Sequence, residues 1–258
     1  MTDSNAAILT TEARGHVLVL TLNRPAARNA FDAALSEALS DALDAFEAAS
    51  EQRVAVLTGA GGSFSAGMDL KALLRGERAF TKKRGGFGIM AVPPDKPIIA
   101  AVEGHAVAGG FELALSCDLI VAAQNARFGL PEVKRGLVAV GGALFRLPRR
   151  IPYHVAMELA LTGVAESAEY FHRLGLVSRI VPPGEAVTHA VELANVIAAN
   201  APLAVAATKR ILRRAIDWTE DEAWPAHRDL ARPALSSKDA REGALAFAEK
   251  RAPRWHGE

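Results

Sequence analysis

Between Pro97 and Asp118 an apolar run meets a pair of glycines and then a second apolar run, and this junction limits what the chain can become. Ile98 to Val102 is rich in β-branched residues and bounded by Pro97 and Gly104, a pattern that predicts a fully buried strand. Phe111 to Ser116 holds helix formers and no breaker, so a helix is predicted there with Gly109 and Gly110 at its start. The first amides of a helix have no partner within it, and a residue without Cβ lets another atom approach the main chain. A developing oxyanion could dock at such a place. Glu112, three residues after Gly109, falls in the first turn at the same end of the helix. It reads equally well as an acidic residue complementing the helix dipole, worth about 0.3–1 kcal/mol, and the stretch alone leaves both readings open.

With 258 residues, half of them apolar, the chain can bury a sizeable core, and disorder is excluded as a description of the whole. The formal charge of +1 comes from interspersed acids and bases, which gives no single-sign field and argues against nucleic acid as a partner. The local basic runs at Arg146, Arg149 and Arg150 and at Lys209, Arg210, Arg213 and Arg214 read as solvated helix faces or anion contacts. Cys117 is the only cysteine, which removes an intrachain disulfide framework and fits core packing in a reducing compartment. The first residues lack the basic start and apolar run of a secretory signal, and no apolar run reaches the ~18 residues of a membrane span. A soluble cytoplasmic protein is expected, with no membrane partner.

Ile8 to Glu12 and Val17 to Leu22 predict an antiparallel pair turning through Arg14-Gly15, followed by a helix over Phe31 to Ala49 and a strand over Val54 to Leu57. The loop from Gly59 to Asp69 resembles neither nucleotide fingerprint closely. The third glycine of a dinucleotide loop is Phe64, and no Lys-Ser or Lys-Thr follows for a phosphate loop. More useful is Gly67-Met68-Asp69, where the chain turns toward another helix and a second backbone N–H could be offered. Arg75 to Pro94 has little periodicity and predicts a mobile surface segment beside whatever pocket exists. A strand over Leu119 to Ala122, a turn at Phe128 to Glu132, a glycine-rich stretch from Gly136 to Gly142 and a helix over Tyr153 to Leu161 follow. Glu132 stands after Pro131, a pairing common in surface turns. From Glu185 onward the pattern is helical, over Ala186 to Ala199, Leu203 to Arg214, Glu220 to Ala231 and Asp239 to Arg251, punctuated by Pro202, Pro225 and Pro233. The layout divides into a mixed body over residues 1–199 and a helical region over residues 200–258 whose apolar faces need a partner surface.

Five ordered motifs, Ser65-Ala-Gly-Met-Asp-Leu70, Lys96-Pro-Ile-Ile-Ala-Ala-Val-Glu-Gly104, Ala108-Gly-Gly-Phe-Glu-Leu113, Cys117-Asp118 and Phe128-Gly-Leu-Pro-Glu132, together resemble the enoyl-CoA hydratase (crotonase) family, from about Thr21 to Arg251. The resemblance implies an α/β fold, a spiral of repeated strand-strand-helix units, with a C-terminal helical region that mediates assembly as a homotrimer or a dimer of trimers. It implies an acyl-CoA thioester substrate whose carbonyl is held by the backbone amides of Met68 and Gly109. The two glutamates that hydratases of the family use correspond to Glu112 and Glu132. For coenzyme A, the resemblance points to Ala66, Met68, Asp69, Leu70 and Lys71, and to Phe247 and Lys250 reaching from a neighbouring subunit. Ala26 stands where many relatives carry Lys, with Arg28 close enough to compensate. No metal and no cofactor beyond the coenzyme A of the substrate is implied.

Two departures bear on the pocket. Val140 stands where relatives often have Gly in the loop facing the reacting water, which would narrow that wall or shift the loop. His105 stands where an aromatic residue is common and reads as a satisfied structural histidine. The chemistry itself explains two acids: adding water across a 2-enoyl thioester needs a water activated at C3, a proton delivered at C2, and stabilisation of charge on the thioester oxygen. On the resemblance, Glu112 serves mainly the water and Glu132 mainly the proton. An isomerase, or a carnitinyl-CoA-type dehydratase, of the same fold is the alternative among enzymes, and a catalytically idle acyl-CoA binding member is the alternative from a different functional class. Neither H-E-x-x-H nor G-x-S-x-G occurs, which sets zinc-peptidase and serine-hydrolase readings aside.

Overall fold

A computed structural model describes residues 7–258 of the chain. The antiparallel pair β1 (Leu9–Arg14) and β2 (Val17–Leu22) turns at Gly15, whose φ of +60° suits a residue without Cβ. Helix α1 (Ala33–Ala48) begins after Asp32, whose side chain accepts the Leu35 amide at 2.9 Å. Its start lies two residues beyond the predicted one because Phe31 bridges to Met68 instead. Leu35, Leu39, Leu43 and Phe46 form the buried stripe of α1, each worth about 1.5–3 kcal/mol once out of water.

Next come β3 (Val54–Gly59), α2 (Leu70–Leu74), and the two-residue strands β4 (Phe80–Thr81) and β5 (Gly85–Gly86). Strands β6 (Ile98–Val102) and β7 (His105–Val107) lead into α3 (Gly109–Ser116), then β8 (Leu119–Ala123) and β9 (Arg127–Gly129). A 3-10 helix at Pro131–Arg135 precedes α4 (Ala143–Arg146) and α5 (Tyr153–Thr162). Strand β10 (Ala165–Ser167), α6 (Ala168–Arg173) and β11 (Arg179–Val181) complete the body before α7 (Ala186–Ala198).

The six-stranded sheet runs β1-β2-β3-β6-β8-β11, parallel throughout except for β1, and a smaller sheet runs β10-β9-β7. Each turn of the chain takes a strand of the large sheet, then a segment of the small sheet, then a helix: β6-β7-α3, then β8-β9 and the 3-10 helix. Earlier, β3 reaches the small sheet through a bridge between Ser65 and Ala106 before α2. This is the spiral of strand-strand-helix units. Both faces of the large sheet are covered, so its strands read as apolar runs. Val17, Val19, Val54, Val56, Ile99 and Ala101 face α7, which packs closely by presenting Ala186, Ala190, Ala194 and Ala198 at four-residue spacing. Leu20, Leu22, Ala55, Leu57, Ala100 and Val102 face the opposite core under α1 and α3.

Several expectations need correcting. Strands β7, β9, β10 and β11 were outside the sequence pattern because three-residue strands are too short to display a period, and the six-residue α6 was outside it as well. The segment 75–94 is not merely surface: Phe87, Ile89 and Met90 are buried, and Arg84 is 2% exposed. Arg84 Nη2 donates to Asp44 Oδ1 at 2.6 Å and to Glu47 Oε2 at 2.9 Å, and its Nη1 donates to Val92 O at 2.9 Å. These acids lie on the outer face of α1, so the segment is strapped to that helix by an ion pair that hydrophobic periodicity does not reveal.

Helices α8 (Pro202–Ala215), α9 (Glu220–Leu235) and α10 (Lys238–Glu249) follow. Pro202 opens α8, where a missing N–H costs nothing. Helix α9 continues through Pro225 and Pro233, four residues beyond the predicted end at Ala231. Neither α8 nor α9 buries a residue, and Leu212, Trp224 and Leu235 stand exposed. Helix α10 is tied back by the final residues: Asp239 accepts the His256 and Gly257 amides at 2.8 Å, and Arg53 donates to Ala198 O and Trp255 O.

Breaking the Arg84 pairing from the acidic side strands a buried guanidinium, whereas breaking it from the basic side leaves carboxylates that water can reach. The double variant Asp44→Ala/Glu47→Ala is expected to lose about 3–5 kcal/mol of stability and Arg84→Met distinctly less, measured by urea unfolding; equal losses would contradict the strap.

Candidate active site

Two backbone segments meet where β3 and β7 run out. Phe31 donates to Gly67 O at 2.8 Å and accepts from the Asp69 amide at 2.9 Å, so the bridge to Phe31 uses the neighbours of Met68 and leaves the Met68 N–H off the ladder. Gly67 has φ +91°, and a Cβ there would come within 2.8 Å of the Gly109 nitrogen. Gly109 is equally confined, since a Cβ on it would lie 3.5 Å from Gly67 Cα and 2.6 Å from the Phe87 ring. Ala108 turns the chain into α3 with φ +53° and ψ −133°, a strained conformation for a residue with a side chain, held by its amide donating to Gly129 O at 2.9 Å. Among the described residues neither the Met68 nor the Gly109 amide donates to a protein acceptor.

Glu112 sits on the first turn of α3 and is 4% exposed. Its Oε1 accepts the Ala143 amide at 3.1 Å. Gly141 lies against the other oxygen: a Cβ there would be 2.6 Å from Glu112 Oε2 and 2.5 Å from Met90 Sδ. Burial pushes the Glu112 carboxyl up to about 7; the Ala143 amide opposes that rise, the charge of Glu132 adds to it, and the Gly141 amide and Arg146 oppose it. Glu132 is carried by the 3-10 helix, which Pro131 starts and Gly136 ends at φ +66°. Its Oε2 is buried and has no hydrogen-bond partner among the described residues, and burial raises its carboxyl as well. The two acids, twenty residues apart in sequence, are thus near enough for the charge of Glu132 to act on Glu112. Each acid, raised by burial, holds its proton more readily than an exposed carboxyl. A carboxylate, a carboxylic acid and nearby free backbone donors make up the parts for moving protons beside a polarised carbonyl.

The residues assigned to coenzyme A divide into two groups. Arg28 and Ala66 are brought together, the Ala66 amide donating to Arg28 O at 3.0 Å, and exposed Leu70 and Lys71 follow. The Asp69 carboxylate is committed within the chain: it accepts the Lys71 and Ala72 amides as the cap of α2 and pairs with Arg24 at 3.0 Å. Phe247, 87% exposed, lies on α10 and Lys250 ends that helix, which the C-terminal residues dock beside Arg53 at the N-terminal end of β3. Ala66 to Lys71 follow the opposite end of that strand.

Neither departure behaves as expected. The Val140 side chain is 86% exposed, and the close approach to Glu112 is made by Gly141 instead. His105 is exposed, and it is its backbone oxygen that is used, accepting the Ser65 amide at 3.0 Å. Gly141, Ala143, Met90 and Phe87 all touch this region and were not singled out from the sequence, and Arg146, expected as a solvated helix face or an anion contact, donates instead to Gly141 O, Ser116 Oγ and Met90 O. Only the glycine pair 141–142 ahead of a helix offered a signal, the same one that marked Gly109 and Gly110.

A model of the enoyl-CoA hydratase/isomerase family matches residues 12–258. An enoyl-CoA hydratase of Mycobacterium tuberculosis is 43% identical over 249 residues, covering 94% of each chain. A carnitinyl-CoA dehydratase of Salmonella typhi is 45% identical over 251 residues, covering 94% of this chain and 96% of the other. The crystal structure of an enoyl-CoA hydratase from Mycobacterium marinum superposes with a TM-score of 0.95 at 55% identity, covering 97% of this chain and 99% of that one.

Because the Glu112 carboxyl is raised from 4.5 to about 7 in the folded chain, the folded state binds more protons than the unfolded one between those values, and stability falls as pH rises through them. Glu112→Gln removes that loss. The variant is expected to be more stable than the wild type at pH 8 by up to about 3 kcal/mol and to have little or no such advantage near pH 4, measured by thermal unfolding at both pH values.

Proposed function

The chain belongs to the enoyl-CoA hydratase/isomerase family, and from that premise we propose that it adds water reversibly to 2-enoyl-CoA thioesters to give 3-hydroxyacyl-CoA. The observation that carries this reading is buried Glu112 beside half-buried Glu132, in a site where two backbone amides have no protein acceptor among the described residues. The thioester oxygen takes the Met68 and Gly109 amides, which draws electron density from C3 and stabilises the enolate as it forms. Glu112, as carboxylate, accepts a proton from water while the water oxygen bonds to C3. Glu132, as acid, gives its proton to C2, so the double bond is consumed and one water is gained. Proton exchange between the two acids restores the starting state. No oxidation or reduction is involved, and the coenzyme A of the substrate is the only carrier the chemistry needs.

The same pair serves dehydration of a 3-hydroxyacyl thioester in reverse. The relative named carnitinyl-CoA dehydratase, at 45% identity, supports that second reading. An isomerase can work with one carboxylate, so the presence of two favours hydration or dehydration. For the coenzyme A end we propose Arg28, Ala66, Leu70 and Lys71 of one chain, with Phe247 and Lys250 supplied by a neighbour in a homotrimer or a dimer of trimers. The exposure of Phe247 and of the apolar side chains on α8 and α9 supports residues 200–258 as the associating region. A cytoplasmic location suits a protein with a single buried thiol.

Hydration of crotonyl-CoA and longer enoyl-CoAs, followed by loss of the conjugated thioester absorbance, is expected in the wild type, with kcat lowered about 10²–10⁴-fold in Glu112→Gln and in Glu132→Gln. Full activity in both variants would overturn the assignment of the pair, and binding of acyl-CoA without turnover of any enoyl or hydroxyacyl thioester would favour an idle binding protein.

A further inference from the structure

Arg146 ends α4 and makes no ion pair with a carboxylate among the described residues. It donates to neutral oxygens instead: Nη1 to Gly141 O at 3.0 Å and to Ser116 Oγ at 3.2 Å, and Nη2 to Met90 O. Each acceptor belongs to a different wall around Glu112. Gly141 lies against the carboxylate, the Met90 side chain lies against Gly141, and Ser116 Oγ donates to the backbone oxygen of Glu112 at 2.8 Å. The Ala143 amide that Glu112 accepts opens the same short helix that Arg146 closes. These bonds make a closed ring running from the Glu112 carboxylate to Ala143, along α4 to Arg146, and through Ser116 back to the Glu112 backbone.

We propose that Arg146 is a positioning residue for the acid pair: its guanidinium locks the segments carrying Met90, Gly141 and Ser116 together and so fixes the Glu112 carboxylate. The proposal rests on the hydratase reading for what the carboxylate does, and on the ring of bonds for how it is held. A guanidinium suits the task because its planar fork reaches oxygens in several directions at once, which an ammonium does through a single nitrogen. The charge has a second effect. Glu132, from the 3-10 helix, and Arg146, from α4, are the charged groups that bear on Glu112. Burial pushes the Arg146 guanidinium down to about 10, still charged at neutral pH; Arg150 and Arg213 of α8 push it the same way and Glu112 opposes them. A cation there favours the ionised form of Glu112, so its removal raises the carboxyl further and shifts the acidic limb of the rate profile to higher pH.

The test compares Arg146→Met, Arg146→Lys and Arg150→Met. Arg150 is adjacent in the fold, but its bond goes to Leu115 O at 2.8 Å, away from the Gly141 loop. Arg146→Met is expected to lower kcat about 10²-fold with little change in KM, and to move the acidic limb of kcat/KM upward by about one pH unit. Arg146→Lys is expected to restore the limb without restoring the rate, because it keeps the charge and loses the fork. Arg150→Met is expected to retain the wild-type rate and limb. Infrared titration of the carboxyl band in the ligand-free proteins, with Glu112→Gln as the assignment standard, reads the same shift without turnover. A wild type that hydrates no enoyl-CoA would defeat the proposed function and leave the infrared comparison to decide this one. Wild-type kcat and an unmoved limb in a folded Arg146→Met, or a loss of stability with no shift in either titration, would overturn it. If Arg146→Met does not fold, a full wild-type rate in Arg146→Lys would overturn it equally.

Discussion

Ala108 holds φ +53° and ψ −133°, a conformation that costs a residue with a side chain about 1–3 kcal/mol, and the site depends on its not relaxing. The turn at Ala108 brings Gly109 onto α3 with its amide beside the Gly67 segment. It is held open by contacts from several directions: its amide is fixed to β9 through Gly129, the Phe87 ring covers Gly109, and the Gly67 segment lies too close to admit a Cβ. Three turns of the spiral therefore contribute to one strained peptide. A fold that repeats strand, strand and helix brings such junctions to the same end of its sheets, which is why residues forty positions apart can share a site.

The second constraint is electrostatic. Glu112 is held where water is scarce, and one oxygen of the half-buried Glu132 is itself buried with no partner among the described residues. An unpartnered buried carboxyl costs stability in a folded chain. Its persistence beside a second buried acid makes sense if the pair is poised to exchange protons with a third molecule. The close fit of Gly141 against Glu112 shows how little freedom the loop has, and the exposed Val140 next to it shows that bulk at position 140 is carried outward.

Much of this was legible in the chain, for identifiable reasons. Helix α3 and the place of Glu112 on it follow from one apolar run and two glycines, strands β2 and β3 follow from their apolar runs, and the stripe of α1 follows from its helical spacing. The three-residue strands of the small sheet were not legible, because nothing that short has a period. Arg84 was invisible for a different reason: its partners Asp44 and Glu47 sit on the polar face of α1, where charges carry no hint of whom they meet. Glu132 stands in a Pro-Glu turn that looks like any surface turn, and only the strand returning through β8 and β9 brings it to Glu112. Gly141 was passed over in favour of Val140, since a glycine among glycines does not announce which of them touches a carboxylate.

Everything functional turns on whether the Met68 and Gly109 amides act on one thioester oxygen. Infrared difference spectra of 1-¹³C-crotonyl-CoA bound to a Glu112→Gln/Glu132→Gln protein, which holds the ligand without consuming it, measure this directly. The account predicts a thioester carbonyl band displaced to lower wavenumber than in water, as expected for an oxygen polarised by two backbone donors. A bound ligand whose carbonyl band stays at its solution position would contradict it.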